Sequence, residues 1–126
     1  MPIHTFRLGA LPDSTERTFR ALANSDLGAK CCSVHDNVLI AGAVIPRHKH
    51  AVEEILVCLG GSAECSFGDG TPEMYGEGSV VIIPANTAHT IRNTGPGTLW
   101  QISFFAGNPP CTEWLESPGS VDNVAT

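Results

Sequence analysis

The chain has no apolar run approaching the roughly 20 residues that a membrane-spanning helix requires, so a helical membrane protein is not expected. Basic residues are few. Seven Lys and Arg stand against 13 Asp and Glu, so 7 − 13 = −6, and a phosphate backbone is a poor partner for such a chain. Nucleic acid is therefore set aside. No C-x-x-C pair occurs. The five cysteines (Cys31, Cys32, Cys58, Cys65 and Cys111) are an odd number, and the first two are adjacent, pointing to opposite faces of any strand. A disulfide framework is not expected, and a reducing cytoplasm is the default location. Met1–Arg7 lacks a basic stretch leading into a long apolar run, so no secretory leader is expected. No repeat of strict period is present.

What is there suits one domain. The 126 residues are enough for a single core, and 42% hydrophobic residues argue against disorder. Thirteen glycines and nine prolines punctuate many short apolar runs. Ala29–Val34 and Val38–Ile45 flank His35-Asp36-Asn37, which reads as a hairpin turn. Glu54–Leu59 ends at Gly60-Gly61, and Ala63–Phe67 ends at Gly68-Asp69-Gly70. Val80–Ile83 stops at Pro84, and His89–Arg92 and Thr98–Phe105 complete the set. The pattern predicts an antiparallel all-β sandwich or barrel spanning 28–106. Residues 1–27 form an N-terminal extension that is irregular, a swapped strand, or a short helix over Thr15–Leu22 capped by Asp13-Ser14. Residues 107–126 are expected to wrap the surface or fray.

Two stretches place ligand-type side chains at turns: Gly42 to Glu54 and Gly78 to His89. Between them they hold three of the five histidines, His48, His50 and His89, together with Glu54. His48 and His50 share strand parity, so their rings leave one face about 6.6 Å apart along the backbone. Glu54 lies about 13 Å beyond His50 on a straight strand, too far to share an ion. The chain must therefore turn at Ala51-Val52-Glu53. His89 opens a strand after the Pro84–Ala88 turn. Such a set brings four ligands together inside a barrel, and three imidazoles with a carboxylate suit a divalent transition metal: Fe, Mn, Ni, Co, Cu or Zn. Parity adds Val44, Leu56, Cys58 and Ile91 as cavity-lining candidates, with Asn93 beside them. Cys58 also reads as a small buried hydrophobe, and Asn93 as a local structural cap. Trp100, Phe104 and Phe105 on the last run offer faces to the cavity and to the core or surface. Parity alone leaves the side open, and Phe104 is carried as a lining residue. Glu53, Arg47 and Lys49 read as outward-facing, and His4 and His35 as surface residues.

These residues resemble the two motifs of the cupin family. The first, G-x5-H-x-H-x3-4-E-x6-G, is met at Gly42, His48, His50, Glu54 and Gly61. The second, G-x5-P-x-G-x2-H-x3-N, is met at Gly78, Pro84, His89 and Asn93. Asn86 replaces the family glycine at a tight turn expected to need positive φ, where Asn is the best substitute. The resemblance covers residues 38–105. It implies a small jelly-roll β-barrel, a metal held by His48, His50, Glu54 and His89, and a homodimer.

Fold does not fix reaction. The first expectation is a metal-dependent enzyme acting on a small organic substrate, with dioxygenase or oxidative-cleavage chemistry at a three-His-one-Glu centre and Glu54 as ligand or base. Close behind stands a non-oxidative isomerase, lyase or cyclase. A non-catalytic barrel that binds a sugar or other small molecule is the alternative from a different class. A 2-oxoglutarate oxygenase is disfavoured, because no H-x-D occurs.

Overall fold

The computed structural model describes residues 1–12, 15–108 and 110–118. The strands are β1 (Arg17–Ala23), β2 (Ser33–Leu39), β3 (Val44–His50), β4 (Glu54–Gly60), β5 (Ser62–Phe67), β6 (Glu73–Gly76), β7 (Val80–Ile83), β8 (His89–Asn93), β9 (Leu99–Phe105) and β10 (Thr112–Trp114), with a 3-10 turn at Ser25–Leu27. They form two antiparallel five-stranded sheets, ordered β1-β2-β9-β4-β7 and β10-β3-β8-β5-β6. Except at β1–β2 and β5–β6, every connection carries the chain from one sheet to the other. This is a jelly-roll barrel, within the antiparallel sandwich or barrel that the turn-punctuated pattern predicts and of the type that the motif resemblance implies.

The alternation of apolar residues explains the layering. Leu39, Ala43, Ile45, Leu56, Cys58, Ala63, Cys65, Ile91 and Leu99 form one buried cluster, packed by Phe67, Tyr75, Val81 and Trp114. β3 runs from that cluster at Ala43 and Ile45 toward His48 and His50. β4 and β8 run the other way, from Glu54 to Cys58 and from His89 to Ile91. One end of the barrel is therefore filled with hydrocarbon, and the polar ligand-type residues sit together at the other. Gly61 turns the chain between the sheets at φ +89°, where a Cβ would lie 2.7 Å from the Thr98 carbonyl oxygen. Only glycine fits that close approach.

Three expectations are corrected. Residues 17–23 form a strand, not a helix: Arg17–Ala21 pair in register with Leu39–His35, and backbone pairing overrides a weak helical pattern. The capping residues Asp13-Ser14 lie outside the described residues. His35-Asp36-Asn37 is not a turn. β2 runs straight through it between β1 and β9, and the reversal comes later, where Ala43 N–H donates to the Ile40 carbonyl at 3.1 Å. The turn-like polar residues are tolerated there because several find partners. Trp100 Nε1 and Gly9 N donate to Asp36 at 2.7 and 2.9 Å, and Asn37 Nδ2 donates to Ser103 Oγ at 2.7 Å. Finally, part of the tail is an edge strand: Thr112–Trp114 pairs with His50–His48. The barrel thus begins at β1 and ends at β10, beyond the 28–106 span on both sides.

Candidate metal centre

His48, His50, Glu54 and His89 each bring one donor atom into a group whose members all lie within 4.8 Å of one another, and all four side chains are buried. Local structure sets each one. A register shift on β3 separates the Ile45↔Ile91 and His48↔His89 pairs. Pro46 sits inside that shift, as a residue with no N–H to give the ladder must. The shift turns His48 and His50 into the barrel. The chain reverses at residues 51–53, and Glu54 opens β4 opposite Phe105 and Ile83. His89 follows a turn in which Asn86 takes φ +58° and its N–H donates to the His50 carbonyl at 2.7 Å. Asn therefore occupies the left-handed conformation expected of the family glycine.

The orientation of the rings is fixed from behind. His48 Nδ1 donates to the Pro46 carbonyl at 2.7 Å, and His89 Nδ1 to the Thr87 carbonyl at 2.8 Å. A carbonyl only accepts, so both Nδ1 atoms carry a proton, and in the neutral imidazole that leaves Nε2 as the lone-pair nitrogen. His50 Nδ1 lies 3.0 Å from Thr112 Oγ1. On the front side, Glu54 Oε1 lies 3.5 Å from His50 Nε2 and 3.4 Å from His89 Nε2, and neither Glu54 Oε1 nor His89 Nε2 has a hydrogen-bond partner.

Burial sets the charge states. It lowers His48 to about 3, with the neighbouring His89 ring adding to the effect. It lowers His50 to about 4, against the opposing pull of Glu54. Both imidazoles are neutral at pH 7. For Glu54 burial is the largest influence and acts upward. The His89 and His50 nitrogens close beside it, helped by Ser103, outweigh it and hold the carboxyl below its usual range. Neutral His48 and His50 rings, an ionised carboxylate and orphaned buried donor atoms close together are the state a transition ion needs. Donors about 2.1 Å from a shared ion stand about 3–3.5 Å apart, which matches the Glu54 contacts. The residues fit the group.

A cavity of about 410 Å³, measured out through its mouth, adjoins the four residues. Leu56 and Ile91 line it. The other lining candidates lie elsewhere. Val44 is replaced on the wall by Ile45, because the β3 shift inverts the parity on which Val44 was placed. Phe104 points outward at 43% exposure, and its buried neighbour Phe105 packs edge-on against His50 at 4.7 Å instead. Cys58 is buried in the hydrocarbon cluster away from the cavity wall. Asn93 is structural: its Nδ2 reaches the carbonyls of Leu39, Ile40 and Gly97, and its Oδ1 accepts from Gly95 N–H. His35 is fully buried rather than a surface residue. It stacks on Phe19 at 4.1 Å, with Phe105 edge-on at 5.5 Å. Its partners come from β1 and β9, which a turn reading of residues 35–37 could not bring together.

Sequence reasoning missed five further residues that line the cavity. Arg17 and Phe19 come from β1, Asn37 from β2, and Thr112 and Trp114 from β10. Trp114 packs beside His48 at 4.9 Å with the rings tilted by 41°, and the Arg17 guanidinium lies 5.6 Å from the Trp114 ring. The one signal for these residues was period-two alternation, Arg17/Phe19 and Thr112/Trp114, in segments too short to stand out.

The family model described as a cupin domain matches residues 38–103. No curated protein matches the chain. Among solved structures, a protein with a double-stranded β-helix domain from Klebsiella pneumoniae superposes with a TM-score of 0.75 at 19% identity, covering 86% of this chain and 92% of that one. An oxalate decarboxylase from Bacillus subtilis, studied for its Mn(II) centres, gives 0.67 at 22% identity, with 74% of this chain against 26% of that one. A DMSP lyase from Ruegeria pomeroyi gives 0.63 at 24% identity, with 73% of this chain against 46% of that one. The chain thus spans about a quarter of the decarboxylase and about half of the lyase.

Proposed function

The chain belongs to the cupin family, and from that premise we propose that it is a metal-dependent enzyme acting on a small organic substrate, with oxidative cleavage as its reaction. One observation carries the metal: four buried donors converge, two of their atoms have no hydrogen-bond partner among the described residues, and the His48 and His89 rings each donate backward from Nδ1. When bound, a divalent transition ion supplies Lewis acidity toward substrate oxygen atoms and, for Fe, access to O2 chemistry. The chain's own part is to hold and to exclude. Leu56, Ile91, Phe19 and Trp114 give the cavity apolar walls that limit water. Glu54 is held ionised, which suits a ligand. As a proton acceptor it is weakly basic until it leaves the histidines.

The test is elemental analysis of tag-free protein purified without oxygen or added metal. The expected result is about one divalent transition ion per chain. Fe with substrate-dependent O2 uptake supports oxidative cleavage. Mn, Zn or Ni without O2 uptake supports the second reading, non-oxidative isomerase, lyase or cyclase chemistry, which the fold likeness to a decarboxylase and a lyase favours. No ion after reconstitution defeats the metal and leaves a ligand-binding barrel. The homodimer implied by the family is proposed in the same sense, and sedimentation velocity decides it.

A further inference from the structure

Resting on that metal-dependent reading, we infer that Arg17 is the anchor for a carboxylate on the substrate, so the cavity takes small organic acids in preference to neutral molecules. Arg17 is 5% exposed and lines the same cavity as His48, His50 and Glu54. A buried guanidinium ordinarily faces a carboxylate. Among the described residues none lies within ion-pair distance of this one. Its partners among these residues are the Pro118 carbonyl, which accepts from Nη2, and the face of Trp114. No other partner for its donor fork lies among the described residues, so the remaining N–H groups can hold a planar anion through two parallel hydrogen bonds. Burial without a counter-charge lowers the guanidinium to about 10, and exposed Glu16 opposes this only in part.

Charge balance at the site leads to the same ligand. The cavity wall carries one basic side chain, Arg17, and one acidic side chain, Glu54. A divalent cation at the four-residue cluster leaves this enclosed site with a surplus of positive charge, in a chain whose overall charge is −6. An anionic substrate neutralises that surplus. A neutral one leaves a desolvated guanidinium uncompensated. The placement is also suitable. Arg17 is on β1 at the edge of one sheet, and Trp114 is on β10 at the edge of the other, so their contact bridges the two sheets at the cavity wall. A carboxylate held there directs the rest of a small molecule inward, toward the cluster.

The alternative role is a clasp, with Arg17 only fastening the Pro118 carbonyl. Titrations separate the two. Wild-type, Arg17→Gln and Arg17→Lys proteins are loaded with Co(II) and titrated with glycolate and with its neutral analogue glycolamide. Binding is read from Co(II) absorption and tryptophan fluorescence. The expected result is a wild-type preference for glycolate of roughly tenfold or more, the size of one charge-assisted pair. Arg17→Gln should abolish that preference, leaving glycolamide affinity and Co(II) content unchanged, and Arg17→Lys should restore part of it. Equal weakening of both probes with a lower Tm, or undiminished glycolate binding in Arg17→Gln, overturns the anchor. Failure of wild-type protein to take up Co(II) refutes the metal reading alone. The same fluorescence titration on metal-free protein then decides the anchor: an Arg17-dependent preference for glycolate upholds it, and its absence overturns it.

Discussion

An imidazole coordinates well only if its other nitrogen is held, and each ligand-type histidine here is held differently. His48 and His89 each use the carbonyl two residues back in their own segment. His50 faces the Thr112 hydroxyl, a side chain that can be altered without touching a ligand. Thr112→Val keeps the shape and removes the hydroxyl. Affinity for Co(II) or Zn(II), measured by chelator competition, is expected to fall roughly tenfold or more. Unchanged affinity would mean that Thr112 does not orient the ring. Glu54→Ala and His89→Ala should each cost metal retention outright, and wild-type metal content in both would sink the centre. Asn86 tests the turn beneath His50. Its φ of +58° is tolerated by Asn and Gly, so Asn86→Gly is expected to be near neutral. Asn86→Val is expected to destabilise by about 1–2 kcal/mol in urea unfolding, since a β-branched residue resists that conformation.

At the scale of the element, legibility followed sequence locality. The two ligand stretches could be read because each packs strand, turn and ligand into a dozen or so neighbouring residues, with their spacing set by the turn itself. Strand parity worked for Leu56 and Ile91, on strands that stay in register through the site. It failed for Val44, because the shift at Pro46 depends on how β3 meets β8, which no local pattern encodes. It could not choose Phe105 over Phe104, because the inward side of β9 is defined by the pairing of Phe105 with Glu54. β1 and β10 were missed as barrel strands for a related reason. Both are edge strands, held from one side only, and β10 joins residues about 60 positions earlier in the chain. Their contribution can be isolated. A chain ending at Pro110 loses Thr112 and Trp114, and with them the cover over His48 and His50. The remaining sheets keep their pairing, so the far-UV spectrum should stay β-type, while metal affinity falls roughly 10–100-fold. Full affinity in the truncated chain would show that β10 is not part of the site.

At the scale of the whole molecule, neutral histidines in the interior link folding to pH. His35 is the clearest case, because it is fully buried, lies outside the ligand cluster, and neither ring nitrogen has a hydrogen-bond partner. Burial lowers it to about 4, with Glu54 opposing. In the unfolded chain it titrates near 6.5, so between about pH 6.5 and 4 the unfolded state binds a proton that the folded state refuses. Stability from this group is therefore complete above about pH 6.5 and is lost as pH falls toward 4, at up to about 1.4 kcal/mol per pH unit. In metal-free protein His48 and His50 add slopes of the same sign. His35→Phe fills a similar space between Phe19 and Phe105, and it removes two unsatisfied nitrogens. At pH 7 it should therefore be close to neutral or mildly stabilising. Its signature belongs to the acid limb. Urea unfolding of metal-free protein from pH 7 down to 4.5 should show a slope shallower than wild type by about one histidine's share, roughly 1 kcal/mol per unit. A variant with the wild-type slope would show that His35 takes up its proton in the folded barrel, which would require water or a counter-charge to reach a ring that this structure encloses in aromatic side chains.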